Sequence, residues 1–121
     1  MIYEKLSIES PEYFKGLISN AGVCYNNITL LLLKTRSFNE ALLNAQKGII
    51  IKNDDIMYTK LVLAYLLNNR FDESKSIIES RKNHTVNSTT FSNYILSKLD
   101  ELEKLGITHP DFEKVKALLQ K

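Results

Sequence analysis

Three features of the sequence predict an all-α fold of antiparallel helical hairpins, about six helices in one domain spanning residues 1–121. Apolar residues recur at steps of three and four along most of the chain, the period of a helix with one buried face. Helix starts are marked at Ser10-Pro11-Glu12 and at Ser37 with Glu40, which read as an N-cap with proline at N1 and as an S-x-x-E capping box. Phe38 and Phe71 stand 33 residues apart, and each is followed after one residue by an acid, in FNEA and FDES. The chain divides accordingly into repeat-like hairpins over 11–52 and 55–82 and a terminal hairpin over 88–120.

Residues 1–9 carry Ile2, Tyr3, Leu6 and Ile8, too few to define an element but able to fold over the first hairpin. A first helix over about 11–35 places Phe14, Leu17, Ile18, Ala21, Cys24, Tyr25, Ile28, Leu31 and Leu32 on its apolar face. The steps cross Gly22 without a slip, so one long helix is expected. Gly16 and Gly22 each cost about 1 kcal/mol relative to Ala, which leaves a break near Asn20 open. From Gly16 to Leu33 there is no charge over eighteen residues, the length of a short membrane span. Ser19, Asn20, Asn26, Asn27 and Thr29 fall within it, and they argue for a buried central helix instead.

The second helix, about 38–52, aligns Phe38, Ala41, Leu42, Ala45 and Ile49. Asn53-Asp54-Asp55 forms the next turn and offers an N-cap. A third helix, about 55–68, shows Tyr58, Leu61, Val62 and Tyr65 at helical spacing, with Leu63, Leu66 and Leu67 widening the apolar arc. The fourth, about 71–82, carries Phe71, Ile77 and Ile78, with acids at its start and Arg81 and Lys82 at its end, where the helix dipole favours each sign. Polar, hydroxyl-rich residues 83–88 read as a loop. Phe91, Tyr94, Ile95, Leu99, Leu102 and Leu105 form a fifth amphipathic stripe that ends at Gly106, a good C′ residue. Thr108-His109-Pro110-Asp111 starts the last helix, with Phe112, Val115, Leu118 and Leu119 inward.

Phe38, Ala41 and Gly48 follow the aromatic, small, small spacing of the second helix of a tetratricopeptide repeat, with Ser74 matching Ala41 one period on. Tyr25, Ile28 and Leu32 match Tyr58, Leu61 and Tyr65 in the same way. Over residues 22–82 the chain therefore resembles two tetratricopeptide repeats, whose period is about 34 residues. It departs from the family at Thr29 and Val62, where Gly is usual, at Arg81, where Ala is usual, and at Asn53, where Pro is common. The resemblance implies a short right-handed solenoid whose open apolar end is closed by the C-terminal hairpin as a cap.

The same resemblance implies a concave groove, lined by the first helix of each hairpin, that holds a peptide or a partner's helix. Its members would be Val23, Asn26, Asn27, Leu30, Leu33 and Lys34 from the first hairpin and Ile56, Thr59, Lys60, Leu63 and Leu67 from the second. Asn26 and Asn27 are the informative ones, because an amide buried without a partner costs stability and so should face water or serve a partner's backbone. The alternative is that Leu30, Leu33 and Leu63 merely meet the N-terminal residues or the last hairpin. The Lys and Asn set with which some family members clamp a terminal carboxylate is not reproduced.

With 44% apolar and 25% charged residues the composition is that of an ordinary globular domain, and the net charge is +2. Its 16 basic residues are interleaved with 14 acidic ones, so no basic stripe marks a nucleic-acid footprint. Cys24 is alone, which excludes an internal disulfide and suits a reducing compartment. No apolar leader opens the sequence, so the cytoplasm is expected. His84 and His109 lack a second histidine at i+4, and there is no cysteine pair, so no metal or cofactor is expected. Cys24 lies on an apolar stripe, where it reads as a small hydrophobe rather than a nucleophile. Asp100, Glu101 and Glu103 alternate with Lys98 and Lys104 as a solvated face would, and no phosphate-binding glycine motif occurs.

These observations predict a protein that is not an enzyme and whose partner is another protein. The segment LGITHPDFEKVKALLQ resembles the tails of small bacterial immunity proteins, which implies neutralisation of a cognate toxin. An adaptor or secretion chaperone of tetratricopeptide type is the alternative within that class. From a different class, a nucleic-acid-binding helical repeat would use Lys34, Arg36, Arg70, Arg81 and Lys82, and steep salt dependence would mark it. An unrecognised hydrolase would need Cys24 or a histidine.

Overall fold

In the computed structural model, residues 11–120 are described, with side chains from Asn20 onward. The expectations at residues 1–9, at Ser10 and at the side chains of Phe14, Leu17 and Ile18 lie outside the described set. The elements are α1 (Pro11–Lys34), α2 (Phe38–Ile51), α3 (Asp55–Leu67), α4 (Phe71–Arg81), β1 (Thr85–Val86), β2 (Thr89–Thr90), α5 (Phe91–Lys104) and α6 (Phe112–Leu119). Consecutive helices pair as three hairpins stacked in chain order, with α3 packed against α1, α2, α4 and α5. Among the described residues, six helices with a two-residue ladder make this an all-α fold of helical hairpins.

Helix α1 runs unbroken through Gly22. The absent Cβ there is used: one added at Gly22 would lie 2.8 Å from Lys52 Cδ, so the lysine stem crosses the helix at close range. At the next contact, a Cβ on Gly48 would lie 2.7 Å from Met57 Cε and 3.0 Å from Tyr25 Cβ. Small residues at Ala41, Ala45 and Gly48, all buried, let α2 approach its neighbours closely.

The first helix of every hairpin ends in the same way. Arg36, Asn69 and Gly106 have φ of 65°, 63° and 80°, and each sits at C′ of a Schellman turn. The paired bonds are Arg36 N to Leu33 O (3.2 Å) with Ser37 N to Leu32 O (2.8 Å), and Asn69 N to Leu66 O (3.2 Å) with Arg70 N to Tyr65 O (2.9 Å). Gly106 N to Glu103 O and Ile107 N to Leu102 O, both 2.9 Å, repeat the pattern. Arg36 and Asn69 are 33 residues apart, so the backbone keeps the register that the two phenylalanines set.

That turn also corrects the capping box. The Ser37 amide is already given to Leu32, which leaves Glu40 no cap amide to receive, and Ser37 makes no side-chain cap bond. Genuine caps occur at Asp54, which accepts from Met57 N at 2.9 Å, and at Thr90, which accepts from Asn93 N at 3.1 Å. At α6 the cap is an imidazole: Asp111 N donates to His109 Nδ1 at 3.0 Å. His109 Nε2 then donates to Asn69 Oδ1 at 2.6 Å, tying α6 to the turn after α3. Arg36 reaches the Leu105 carbonyl at 3.2 Å and ties the first turn to the third.

Three further expectations are corrected. The buried central helix is α3 rather than α1, with nine of its 13 residues buried. On α1, Cys24, Ile28 and Leu31 face outward, while Ala21, Gly22, Thr29 and Leu33 are buried. Thr29 fits that interior by donating to Tyr25 O at 2.7 Å and accepting from Asn44 Nδ2 at 2.8 Å. Residues 83–88 are not simple loop: Thr85 pairs with Thr90 and Val86 with Thr89. Asn87 at φ 56° makes the turn, and buried Val86 anchors the ladder in the core.

Ala41 and its repeat partner Ser74 are both fully buried, Ser74 donating to Val62 O at 2.7 Å. Ala41→Leu is expected to lower stability by about 1 to 3 kcal/mol through overpacking. Chemical denaturation checks this, and an unchanged midpoint would show that the contact is loose.

Candidate protein-docking surface

Five of the eleven groove residues are corrected by burial. Leu33, Thr59, Lys60, Leu63 and Leu67 are core, because α5 lies across the C-terminal half of the groove. Lys60 Nζ donates to Tyr94 on α5 at 3.0 Å, Lys34 pairs with Glu101 at 3.6 Å, and Thr59 turns its hydroxyl back to Ile56 O at 2.5 Å. The capping hairpin thus fills much of the groove, and Leu33 and Leu63 follow the alternative in which they belong to the interior.

The other six residues remain at the surface: Val23 and Asn27 exposed, Asn26, Leu30, Lys34 and Ile56 half-buried. Val23, Asn26 and Ile56 come together with Gly22, Lys52, Asp54 and Met57 around a cleft of about 120 Å³ between α1 and the start of α3. Of Asn26, the side-chain Oδ1 is shielded from water and accepts no hydrogen bond. A shielded oxygen without a donor costs about 1–3 kcal/mol, and a donor that reaches it as the cleft opens recovers that energy. The volume suits one small side chain or a turn of backbone.

Two other polar clusters bear on the chemistry. Asp55 at the start of α3 meets Arg81 at 2.5 Å and His84 Nδ1 at 3.2 Å, and the Arg81 guanidinium stacks 3.6 Å from the Tyr58 ring centroid. Partial burial pushes the Asp55 carboxyl up, but hydrogen bonds from Arg81 and His84 outweigh it and hold the carboxyl below its ordinary value. The arrangement clamps the end of α4 to the start of α3. Under the α5 helix, Lys60 is 1% exposed. Burial, helped by the Lys98 and Lys34 charges and opposed by Glu101, brings its pKa down from 10.5 to about 7. Glu101 is held below its ordinary value by the Lys98 hydrogen bond at 2.8 Å, against a smaller opposing effect of burial.

No family model, curated protein or solved structure matches the chain. Among the described residues no helix is long and apolar enough to cross a membrane, and no group of three or more His, Cys, Asp or Glu is placed to hold a metal. Of the cations proposed for nucleic acid, Lys34, Arg70 and Arg81 pair with Glu101, Glu73 and Asp55, and Arg36 is bonded to Leu105 O. The burial of Lys60 could not be read from the sequence, since one lysine within a leucine-rich helix is equally consistent with an exposed edge. Of the two asparagines singled out in the sequence, Asn26 lines the cleft and Asn27 faces water.

The lysine gives a pH signature. Below about pH 7 both folded and unfolded chains hold the Lys60 proton, and the burial penalty is fully felt; between about 7 and 10.5 only the unfolded chain holds it, so stability rises with pH. The rise is on the order of a few kcal/mol. Lys60→Met is expected to be more stable than the parent at pH 6 and to lose this rise, measured as the difference between the two urea midpoints from pH 6 to 10. For Asp55 the sign is opposite. Its contribution is present above the ordinary carboxylate range and fades as pH falls through it, so Asp55→Asn should flatten the acid limb of the stability curve.

Proposed function

We propose that the protein is a non-catalytic docking domain that holds a segment of another protein at the cleft between α1 and α3. The observation that carries this reading is Asn26, whose Oδ1 is shielded and without a donor and which lines the cleft together with Val23 and Ile56. A cleft of this kind binds by an apolar contact around one hydrogen bond, with the surrounding charges choosing the partner. Lys34, Arg36, Arg70 and Arg81 are engaged within the fold, which favours a protein partner over a phosphate backbone.

Within this class the specific reading is an immunity protein that occupies and neutralises a cognate bacterial toxin in the cytoplasm. Its support is the resemblance of the C-terminal segment to such chains and a small fold whose interior is sealed by its own last hairpin. An adaptor or secretion chaperone would use the same cleft without blocking an active site.

The distinguishing experiment pairs capture with rescue. Wild-type chain should retain from its native lysate a protein that arrests growth when produced alone, and co-expression of the chain should restore growth. Asn26→Leu with Ile56→Glu should weaken retention at least tenfold and lose rescue while the circular-dichroism spectrum is unchanged. Equal rescue by that variant would show that the cleft is not the docking site, and a captured protein without toxicity would favour the adaptor.

A further inference from the structure

Among the described residues, five of the six large apolar side chains left exposed, Val23, Ile28, Leu31, Leu43 and Ile50, lie on the first hairpin. The repeat register explains the α1 members. In the second hairpin, Met57 rests on Gly48 of α2, and Asn68 Nδ2 donates to Phe38 O of α2 at 2.8 Å. Leu61 and Ala64, both buried, lie between them on the same line of α3, since positions 57, 61, 64 and 68 are spaced by four, three and four. This line is the seam by which α3 sits on the preceding hairpin.

Moved back by 33 residues, the seam becomes Cys24, Ile28, Leu31 and Thr35, and every one is exposed, Ile28 at 46% and Leu31 at 60%. The stripe is continuous with a shallow groove between α1 and α2 formed by Ile28, Leu32, Glu40, Leu43, Asn44 and Lys47. The first hairpin therefore carries the stacking face of a repeat with no preceding hairpin against it among the described residues.

We propose that this stripe is a second docking seat, separate from the Asn26 cleft, for an amphipathic helix of a partner protein that presents small residues at i, i+4 and i+7. The form of that helix is set by α2, which offers Ala41, Ala45 and Gly48 to its surroundings and receives Met57 on Gly48. Small residues let the two axes approach until Ile28 and Leu31 are covered, and apolar burial of both supplies the attraction. Asn20 and Asn27 are exposed beside the stripe on α1, and Glu40 and Lys47 border the adjoining groove on α2, so a partner helix that pairs charges with these two is favoured in one orientation.

The probe is a helix-stapled peptide carrying residues 37–52 of this chain, added to the full-length, isotope-labelled protein. Amide shifts at Cys24, Ile28, Leu31 and Thr35 that saturate, and that weaken at least tenfold in Ile28→Glu with Leu31→Glu, would support the seat. Shifts at Val23, Asn26 and Ile56 instead would place the peptide in the cleft, overturning this seat while leaving the docking function standing. Shifts centred on Met57 and Ala64 would mean that the peptide replaces α2, which also overturns it. Two further outcomes would assign the stripe to another occupant. One is a dimer of the wild-type chain abolished by the double glutamate variant; the other is a set of contacts from Ile2 or Leu6 to Ile28 and Leu31 in the free protein.

Discussion

The structure depends on burying α3 on every side. Leu61, Val62, Leu63, Ala64, Leu66 and Leu67 leave it no polar face, and a helix that is apolar all round is stable only when surrounded. Each neighbour answers one part of that demand. Helix α2 receives the Met57 line, α4 reaches the Val62 carbonyl through Ser74, and α5 covers Leu63 and Lys60. The small ladder adds Val86 to the same core. A two-repeat stack without the last hairpin would expose that side of α3, so the hairpin at 91–119 completes the core as well as ending the array.

Lys60 shows what that enclosure costs. A lysine in the one helix that must be surrounded loses its hydration, and the fold answers with a tyrosine hydroxyl and a rim of charges in which Glu101 stands between Lys34 and Lys98. Glu101 favours the charged lysine while its two neighbours oppose it, and burial decides the balance. The α5 seal and the protonation of one side chain are thereby coupled through residues that all lie on the closing helix or directly beneath it.

The helices, their order and the 33-residue register were legible in the sequence because they follow from local spacing and from Phe38 and Phe71. The turns were legible at Gly106, where glycine announces a positive φ, and at Asn68-Asn69, which ends the third helix, but not at Arg36, where hydrogen bonding to the preceding helix holds a residue less suited to it. The face of α1 was misread for a different reason. Cys24, Ile28 and Leu31 keep a helical period as well as Tyr25, Thr29 and Leu32 do, so period alone could not tell the core side from a second apolar side. Thr29 was the missed signal: a hydroxyl that bonds its own helix can be buried, and with Asn44 it marks the true interior. Of the groove, the members nearest α5 were lost to burial, whereas Val23 and Asn26, midway along α1, and Ile56, at the start of α3, stayed at the surface.

The division of labour along the stack follows from where its ties fall. Arg36 to Leu105 and Asn69 to His109 fasten the hairpins to one another at the Schellman turns, the end where α1 and α3 finish. The cleft lies where α3 starts, at the opposite end of that helix, beside the Lys52 stem over Gly22. Opening the cleft to admit a side chain thus requires no break in the inter-hairpin ties, and docking there is mechanically separate from the closure of the core by α5. A groove that kept its full length would have had to leave Leu33 and Leu63 wet. By filling that half and leaving the other, the chain gives up groove length for a stable interior, and the proposed docking falls to the cleft that Asn26, Val23 and Ile56 line.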